Sequence, residues 1–402
     1  MVMLAGLIFL SWCSVAALLF LLLALELQLG RAPRLDPSAS QDWPLTTQAV
    51  RVVIPVYNEE ANISECLAAL FAALPERQAV EVVVADDGST DATVALANSA
   101  CRELKPSSSV AQVLPVGPRP QAERWCGKNW PASQAAAVPW PDGDPAQQWI
   151  LFLDADVKLR PGALAAALVE ATTAGADLLS LAPRLECDCL AEWLVQPIVA
   201  ALLGLGFPIR RSNDPDDATA FAAGPFMLFR RSAYEAIGGH RAVAAEVVED
   251  LALARRIKAA GLRLRYLLGV DWVDLRMYRS FAALWEGWTK NWFLGLDRSL
   301  VKAAGSVVVV VLLFAIPWLA VLSALIAWAL GLDQALPLTG PALLGVALVF
   351  SVRLWSTWRF STPLRFWWLS WLGAALIAAI VPASVWKTTT GQGWTWRGRP
   401  LA

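Results

Sequence analysis

Histidine is almost missing: the 402-residue chain has one, His240. A hydrolase built on a Ser-His pair would have to use it, and no nucleophile-elbow sequence accompanies it. Charge is scarce as well, at 17% of residues, and 33 Lys and Arg nearly balance 34 Asp and Glu. That balance gives no argument for a nucleic-acid or polyanionic partner. The six cysteines include no C-x-x-C pair, and Cys13 lies in an apolar run. Cys187 and Cys189 are closer together than zinc ligands usually are, so neither a disulfide framework nor a zinc site is indicated. No internal repeat is evident. What the chain has in quantity is apolar surface, with 57% hydrophobic residues and 21 Trp. This suits one large domain plus several membrane segments.

From Met3 to Leu25 run 23 residues without a charge. At about 1.5 Å per helical residue they match the roughly 30 Å hydrocarbon core, and no basic residue precedes them as in a signal peptide. A transmembrane anchor over 1–30 is expected. Three further candidates are Ala303 to Leu332, Ala335 to Val352 and Phe366 to Trp386, the last edged by Trp367, Trp368, Trp371 and Trp386. Arg31 and Arg34 follow the first segment, so the positive-inside rule puts the next region in the cytoplasm and the chain in the cell membrane as a multi-pass protein. The Arg353, Arg359 and Arg365 loop and the tail with Lys387, Arg397 and Arg399 also belong inside by that rule. Three full crossings after the soluble region cannot satisfy all of these. Two net crossings are therefore expected over 303–386, with the 18-residue stretch ending at Arg353 the weakest candidate, ahead of a tail over 387–402.

Between Arg31 and Thr47 the run RAPRLDPSASQDWPLTT favours an irregular linker, here 31–48. Short β-branched runs then alternate with helical patterns: strands at 50–56, 80–86, 149–156 and 177–183, and helices from Asn58 to Ala73, Asp91 to Cys101 and Pro161 to Ala174. The alternation implies an α/β domain, 49–276, with a mostly parallel central sheet. Apolar strands with polar residues only at their C-terminal ends put a ligand site on that carboxyl edge.

Three acidic clusters sit at such ends: Tyr57-Asn58-Glu59-Glu60, Asp86-Asp87-Gly88-Ser89-Thr90-Asp91, and Asp154-Ala155-Asp156. Any one alone is readily a turn or a helix cap. Three in register ask for more. Two carboxylates one residue apart suit a hard divalent ion that takes further ligands from phosphate, and such an ion would neutralise a leaving diphosphate. Glu249-Asp250 opens the helical run EDLALARRIKAAG; the helix macrodipole alone would favour acids there, yet a carboxylate is also a sensible base. Trp125-Cys126-Gly127-Lys128-Asn129-Trp130 offers a Lys near phosphates or a plain surface turn. From Met277 to Leu300, Met277, Phe281, Leu284, Trp285, Trp288, Trp292 and Leu296 recur at three and four. An amphipathic helix over 277–302 at the membrane surface is expected, a buried helix being the rival.

The ordered run VVIPVYNEEANI, VVVADDGSTDAT, LFLDADV and VVEDLALARRIKAAG resembles the family 2 glycosyltransferases, over roughly residues 49 to 300. The resemblance implies a GT-A nucleotide-sugar-binding fold. It implies a base and ribose pocket lined by Pro55, Tyr57, Glu59, Asp86 and Asp87, with Asp154 at the ribose. It further implies Asp156 on Mg2+ or Mn2+ and the diphosphate, Lys128 near phosphates, Asp250 as base with Glu249 in support, and inversion at the sugar carbon. His240 then reads as a loop residue near the acceptor. The Q-x-x-R-W sequence of processive synthases is absent, which favours single-sugar transfer. Trp396-Arg397-Gly398-Arg399 and the stretches at Met277-Tyr278 and Lys290-Asn291 are similar to the hopanoid-associated and carotenoid glycosyltransferase-like branch, so an isoprenoid membrane lipid is the expected acceptor. A polyprenyl-phosphate glycosyltransferase, or a catalytically silent membrane scaffold with this fold, are the alternatives.

Overall fold

The computed structural model describes residues 2–38, 43, 47–75, 78–333, 335–391, 395–396 and 399–400. They form two compact units, one from Ala32–Glu186 and Phe207–Met277, the other from Met1–Arg31, Cys187–Gly206 and Tyr278–Thr395.

The first unit is built on ten strands: β1 (Ala49–Val56), β2 (Val80–Asp86), β3 (Val110–Pro115), β4 (Gln148–Leu153), β5 (Val157–Leu159), β6 (Leu178–Ala182), β7 (Arg184–Leu185), β8 (Phe226–Arg230), β9 (Leu264–Leu268) and β10 (Val273–Leu275). Seven make one sheet in the order β3-β2-β1-β4-β8-β6-β9, and β5-β10-β7 make a small second one. β1 pairs in parallel with β2 (Val56 opposite Asp86) and with β4 (Val53 opposite Phe152). Val52, Val53, Ile54, Val82, Val83 and Leu151 are fully buried because helices cover both faces, which is why these strands read as continuous apolar runs.

In the seven-stranded sheet one strand departs from the parallel pattern. β8 runs antiparallel between β4 and β6, so it begins at the edge where the parallel strands end. The linker departs as well. Leu35 N–H donates to Leu268 O and Leu268 N–H to Pro33 O, both at 3.0 Å, and Leu35 is buried in the core. The apolar side chain of Leu35 thus extends the unit back to Ala32; the linker residues 39–42 and 44–46 lie outside the described residues.

Among the described residues the second unit holds four helices long and apolar enough to cross a membrane: Leu4–Gly30, Leu300–Ala329, Ala335–Phe360 and Trp367–Thr389. The stretch ending at Arg353, weakest by sequence, belongs to a 26-residue helix. In its last turn Arg359 pairs with Glu26 at 2.7 Å. The helix expected over 277–302 runs only over Phe281–Gly295, where left-handed Asp297 and Arg298 break it, with φ of 55° and 56°. Its Leu284, Trp288 and Trp292 are buried, and Trp288 Nε1–H donates to Gln196 Oε1 at 3.0 Å, so this stripe faces protein within the apolar unit. Of the tail motif, Arg397 and Gly398 lie outside the described residues.

Candidate active site

The carboxyl edge carries two interlocked groups of side chains. At the ends of β1 and β2, Asn58 adopts φ 53° and bonds across to the next loop: its N–H donates to Ser89 Oγ at 3.0 Å and its Oδ1 accepts from Thr90 N–H at 2.8 Å. Glu59 N–H donates to Thr93 Oγ1 at 2.7 Å, and Asn62 holds the Glu59 carboxylate at 2.7 Å. Asp91 caps Thr93 and Asp86 accepts from the Ser89 N–H, so part of this acidity serves the turns themselves. Pro55 lies within β1 opposite Ala85, and Tyr57 follows the strand, half-buried. Asp87 is buried and takes Arg119 Nη2 at 2.5 Å.

The second group converges on Lys128. Its ammonium contacts the Asp154 carboxylate and lies 3.1 Å from Glu249 Oε1. Burial alone would depress that ammonium, but Asp154 and Glu249 overcome it and hold Lys128 above its ordinary range. Glu249 is disfavoured by burial and rescued by Lys128, with its carboxyl below the ordinary value. Asp250 behaves oppositely. Desolvation first, and Glu249 next, push it up to about 7, although Leu251 and Gly224 N–H groups bond it, the latter at 3.0 Å. A side chain at position 224 would displace that carboxylate, since a Cβ would sit 2.9 Å from Asp250 Oδ2. Two neighbouring acids are thereby driven apart, the usual way in which one site obtains both an ionised group and a proton acceptor poised near neutrality.

Asp154 and Asp156 flank Ala155 after β4, and together with Glu59 they surround the buried Cys66 thiol, which burial first and these charges next raise well above its usual range. Among the described residues no three His, Cys, Asp or Glu side chains converge as a ready-made metal cage. The donors that Asp154 and Asp156 offer are all oxygen, which fits a hard divalent ion held by one or two carboxylates plus ligand phosphates.

His240 stands apart from this chemistry. It is 3% exposed, its N–H donates to Tyr234 Oη at 3.0 Å, and Nδ1 shares a 2.9 Å bond with that same hydroxyl. Burial pushes its pKa down to about 3. It is a packed core residue rather than a loop residue open to a ligand.

Sequence reasoning missed Arg119 and Asn129. Arg119 ties Asp87 to the carbonyls of Trp125 (2.8 Å) and Gly127 (2.9 Å). Asn129, fully buried, donates to the carbonyls of Val243, Ala244 and Glu246 at 2.9, 3.2 and 2.8 Å. The segment before Lys128 is thus stitched on one side to the β2 end and on the other to the chain entering Glu249-Asp250. It is a docked loop, not a surface turn.

Residues 51–238 match the family model described as glycosyl transferase family 2. These residues, just under half of the chain, are thus similar to a family 2 glycosyltransferase domain. Two curated relatives of this chain are 4,4'-diaponeurosporenoate glycosyltransferases. That of Staphylococcus aureus (strain MRSA252) is 27% identical over 264 residues, 65% of this chain and 65% of the relative. That of Staphylococcus haemolyticus (strain JCSC1435) is 27% identical over 258 residues, 63% and 64%. The match therefore spans just under two thirds of these relatives. A mannosyltransferase from Pyrobaculum calidifontis, solved in complex with GDP-Man and Mn2+, superposes with a TM-score of 0.50 at 20% identity, covering 94% of this chain and 98% of that one. The fold is GT-A-like, with the mostly parallel central sheet expected from the strand pattern.

Proposed function

We propose that this glycosyltransferase moves one sugar at a time from a nucleotide-diphosphate sugar to a hydroxyl of an isoprenoid-like membrane lipid, with inversion, from the cytoplasmic side of the cell membrane. The observation that carries this is the contrast between Glu249, held ionised against Lys128, and Asp250, pushed up to about 7 by burial and Glu249. Displacing a nucleoside diphosphate from an anomeric carbon with a hydroxyl requires removing the hydroxyl proton. A carboxylate whose pKa lies near the working pH is suited to that. Asp250 takes the proton at Oδ1 or Oδ2 while Gly224 N–H keeps the group oriented. Lys128 holds Asp154 and Glu249 in place, and its charge stands beside the phosphates. Pro55, Tyr57, Glu59, Asp86 and Asp87 line the nucleoside end. Mg2+ or Mn2+ on Asp156, with Asp154 beside it, would supply charge stabilisation for the leaving diphosphate.

The relatives' name, which is that of a carboxylate, favours one further reading: an acid acceptor, already a nucleophile when ionised and in no need of a base. The two readings separate on Asp250→Asn. With a hydroxyl acceptor, sugar transfer to membrane lipids drops about 10²- to 10⁴-fold; with a carboxylate acceptor it stays within a few-fold of wild type. Asp156→Ala is expected to silence both. Wild-type transfer in both variants would refute the enzyme assignment in favour of a silent scaffold.

A further inference from the structure

The sheet order separates two halves of the edge. The nucleoside and diphosphate candidates follow β1, β2 and β4, whereas β8, β6 and β9 lie beyond β4 on the other side. That second half carries aromatic rings that donor chemistry does not use. Phe207 and Phe221 stack with centroids 4.4 Å apart at 25°, and Tyr266 meets Phe221 edge-on at 5.3 Å and 62°. Phe207 and Phe221 each keep part of their surface exposed, whereas Tyr266 is 7% exposed behind them, so the two Phe rings are the part of the trio a ligand can reach. Two links hold the trio beside Asp250. Phe221 lies three residues before Gly224, the donor to Asp250 Oδ2. Tyr266 stands opposite Ser180 in the β6–β9 pair, and the Ser180 hydroxyl bonds both Ala223 N–H and Ala223 O, at 2.8 and 3.1 Å. Asn213 clamps the Tyr266 backbone from the turn that follows Phe207, at 2.6 and 2.7 Å.

We propose that Phe207, Phe221 and Tyr266 form an acceptor wall next to Asp250 that packs the flat, unsaturated apolar body of a lipid adjoining the hydroxyl to be glycosylated. The proposal rests on the transferase reading above. The rings supply flat faces and edges that suit sp² carbon better than a saturated chain. Desolvation and the nearby Asp250 charge keep the Tyr266 phenol protonated, so it remains a hydrogen-bond donor at the acceptor end.

The test uses the full chain in its membranes and a geranylgeraniol analogue with a free hydroxyl and a diazirine near it. After irradiation, label is expected on the peptides holding Phe221 or Tyr266, competed better by retinol than by octadecanol, and lowered about fivefold in Phe221→Ala. Phe221→Leu, which keeps apolar volume without the ring, is expected to fold and to lose the preference for retinol. Label confined to the four apolar helices, competition by UDP or GDP, or a retained retinol preference in Phe221→Leu would overturn the wall. Labelling needs no turnover. A wild type that labels at Phe221 yet transfers no sugar therefore refutes only the transferase reading, and one that transfers sugar but labels elsewhere refutes only the wall.

Discussion

Glu249 and Asp250 are neighbours in sequence and differ by one methylene, so only their surroundings give them different work. Lys128 reaches Glu249 Oε1, while Asp250 is turned to backbone N–H groups and left to bear its desolvation. Asp250 raised to about 7 predicts a kcat/KM that falls tenfold per pH unit on the acid side of neutrality, measured with the purified chain. The stability effect has the opposite sense. An acid raised in the folded state binds more protons there than in the unfolded chain between pH 3.8 and about 7, so stability declines across that window as pH rises. Asp250→Asn removes this cost; at pH 8 its unfolding midpoint is expected at or above that of wild type although its transfer activity is lost. Lys128→Met should move the acid limb itself. Lys128 lowers both acids, so its loss raises the Asp250 pKa and shifts the pH–rate profile to higher pH, whereas a variant that merely unfolds would scale the profile without moving it.

Among the elements, those whose neighbours repeat their own pattern were legible. β1, β2, β4 and β6 were readable because burial on both faces makes each an apolar run, and the acids at the ends of β1, β2 and β4 marked the site edge. β8 was not, because Phe226–Arg230 has nothing in its composition that gives a strand direction; the reversal is set by which partners it meets. The same limit hid Asn129, whose acceptors lie 114 to 117 residues away. That amide now carries a prediction. Asn129→Ala removes a donor from three carbonyls, of which Val243 O keeps Glu246 N–H at 2.9 Å and Ala244 O keeps Cys126 N–H at 2.7 Å, so the Glu246 carbonyl bears the loss, an effect of about 1–3 kcal/mol when buried. Pulse proteolysis in urea should show that loss. If Asn129 also sets the distance from Lys128 to the Glu249-Asp250 helix, kcat per folded enzyme should fall while the donor KM stays near wild type. An unchanged kcat would leave it a purely structural residue.

For the whole chain, the open matter is how four apolar helices reconcile with basic residues that all belong inside. Three of them share a core: Leu4, Leu7 and Ile8 pack on Ala320, Ala324, Leu338 and Ala342, and Glu26 takes both Trp355 Nε1–H at 2.8 Å and Arg359 at 2.7 Å. The fourth is bordered differently. At Gly373 a Cβ would come within 2.2 Å of Leu194 O, so the helix Leu190–Gly206 approaches at backbone distance near one end. Near the other end Ser384 Oγ accepts from Phe293 N–H at 3.0 Å and Lys387 Nζ lies 3.4 Å from Thr289 Oγ1, both on Phe281–Gly295. This helix also meets Leu300–Ala329, where Trp318 Nε1–H donates to Ser370 Oγ at 3.2 Å, yet its other neighbours are a 17-residue and a 15-residue helix, each shorter than a bilayer span, and we propose that it is an interfacial or re-entrant segment rather than a crossing. On that proposal Leu300–Ala329 would leave the cytoplasm and Ala335–Phe360 return, which would keep Arg353, Arg359, Arg365 and Lys387 inside, as the charge rule asks. A C-terminal green fluorescent protein fusion should therefore glow and an alkaline-phosphatase fusion at the same position should be inactive. The reverse pair of results would mean that Trp367–Thr389 crosses, and that the helices Leu190–Gly206 and Phe281–Gly295 enter the bilayer with it.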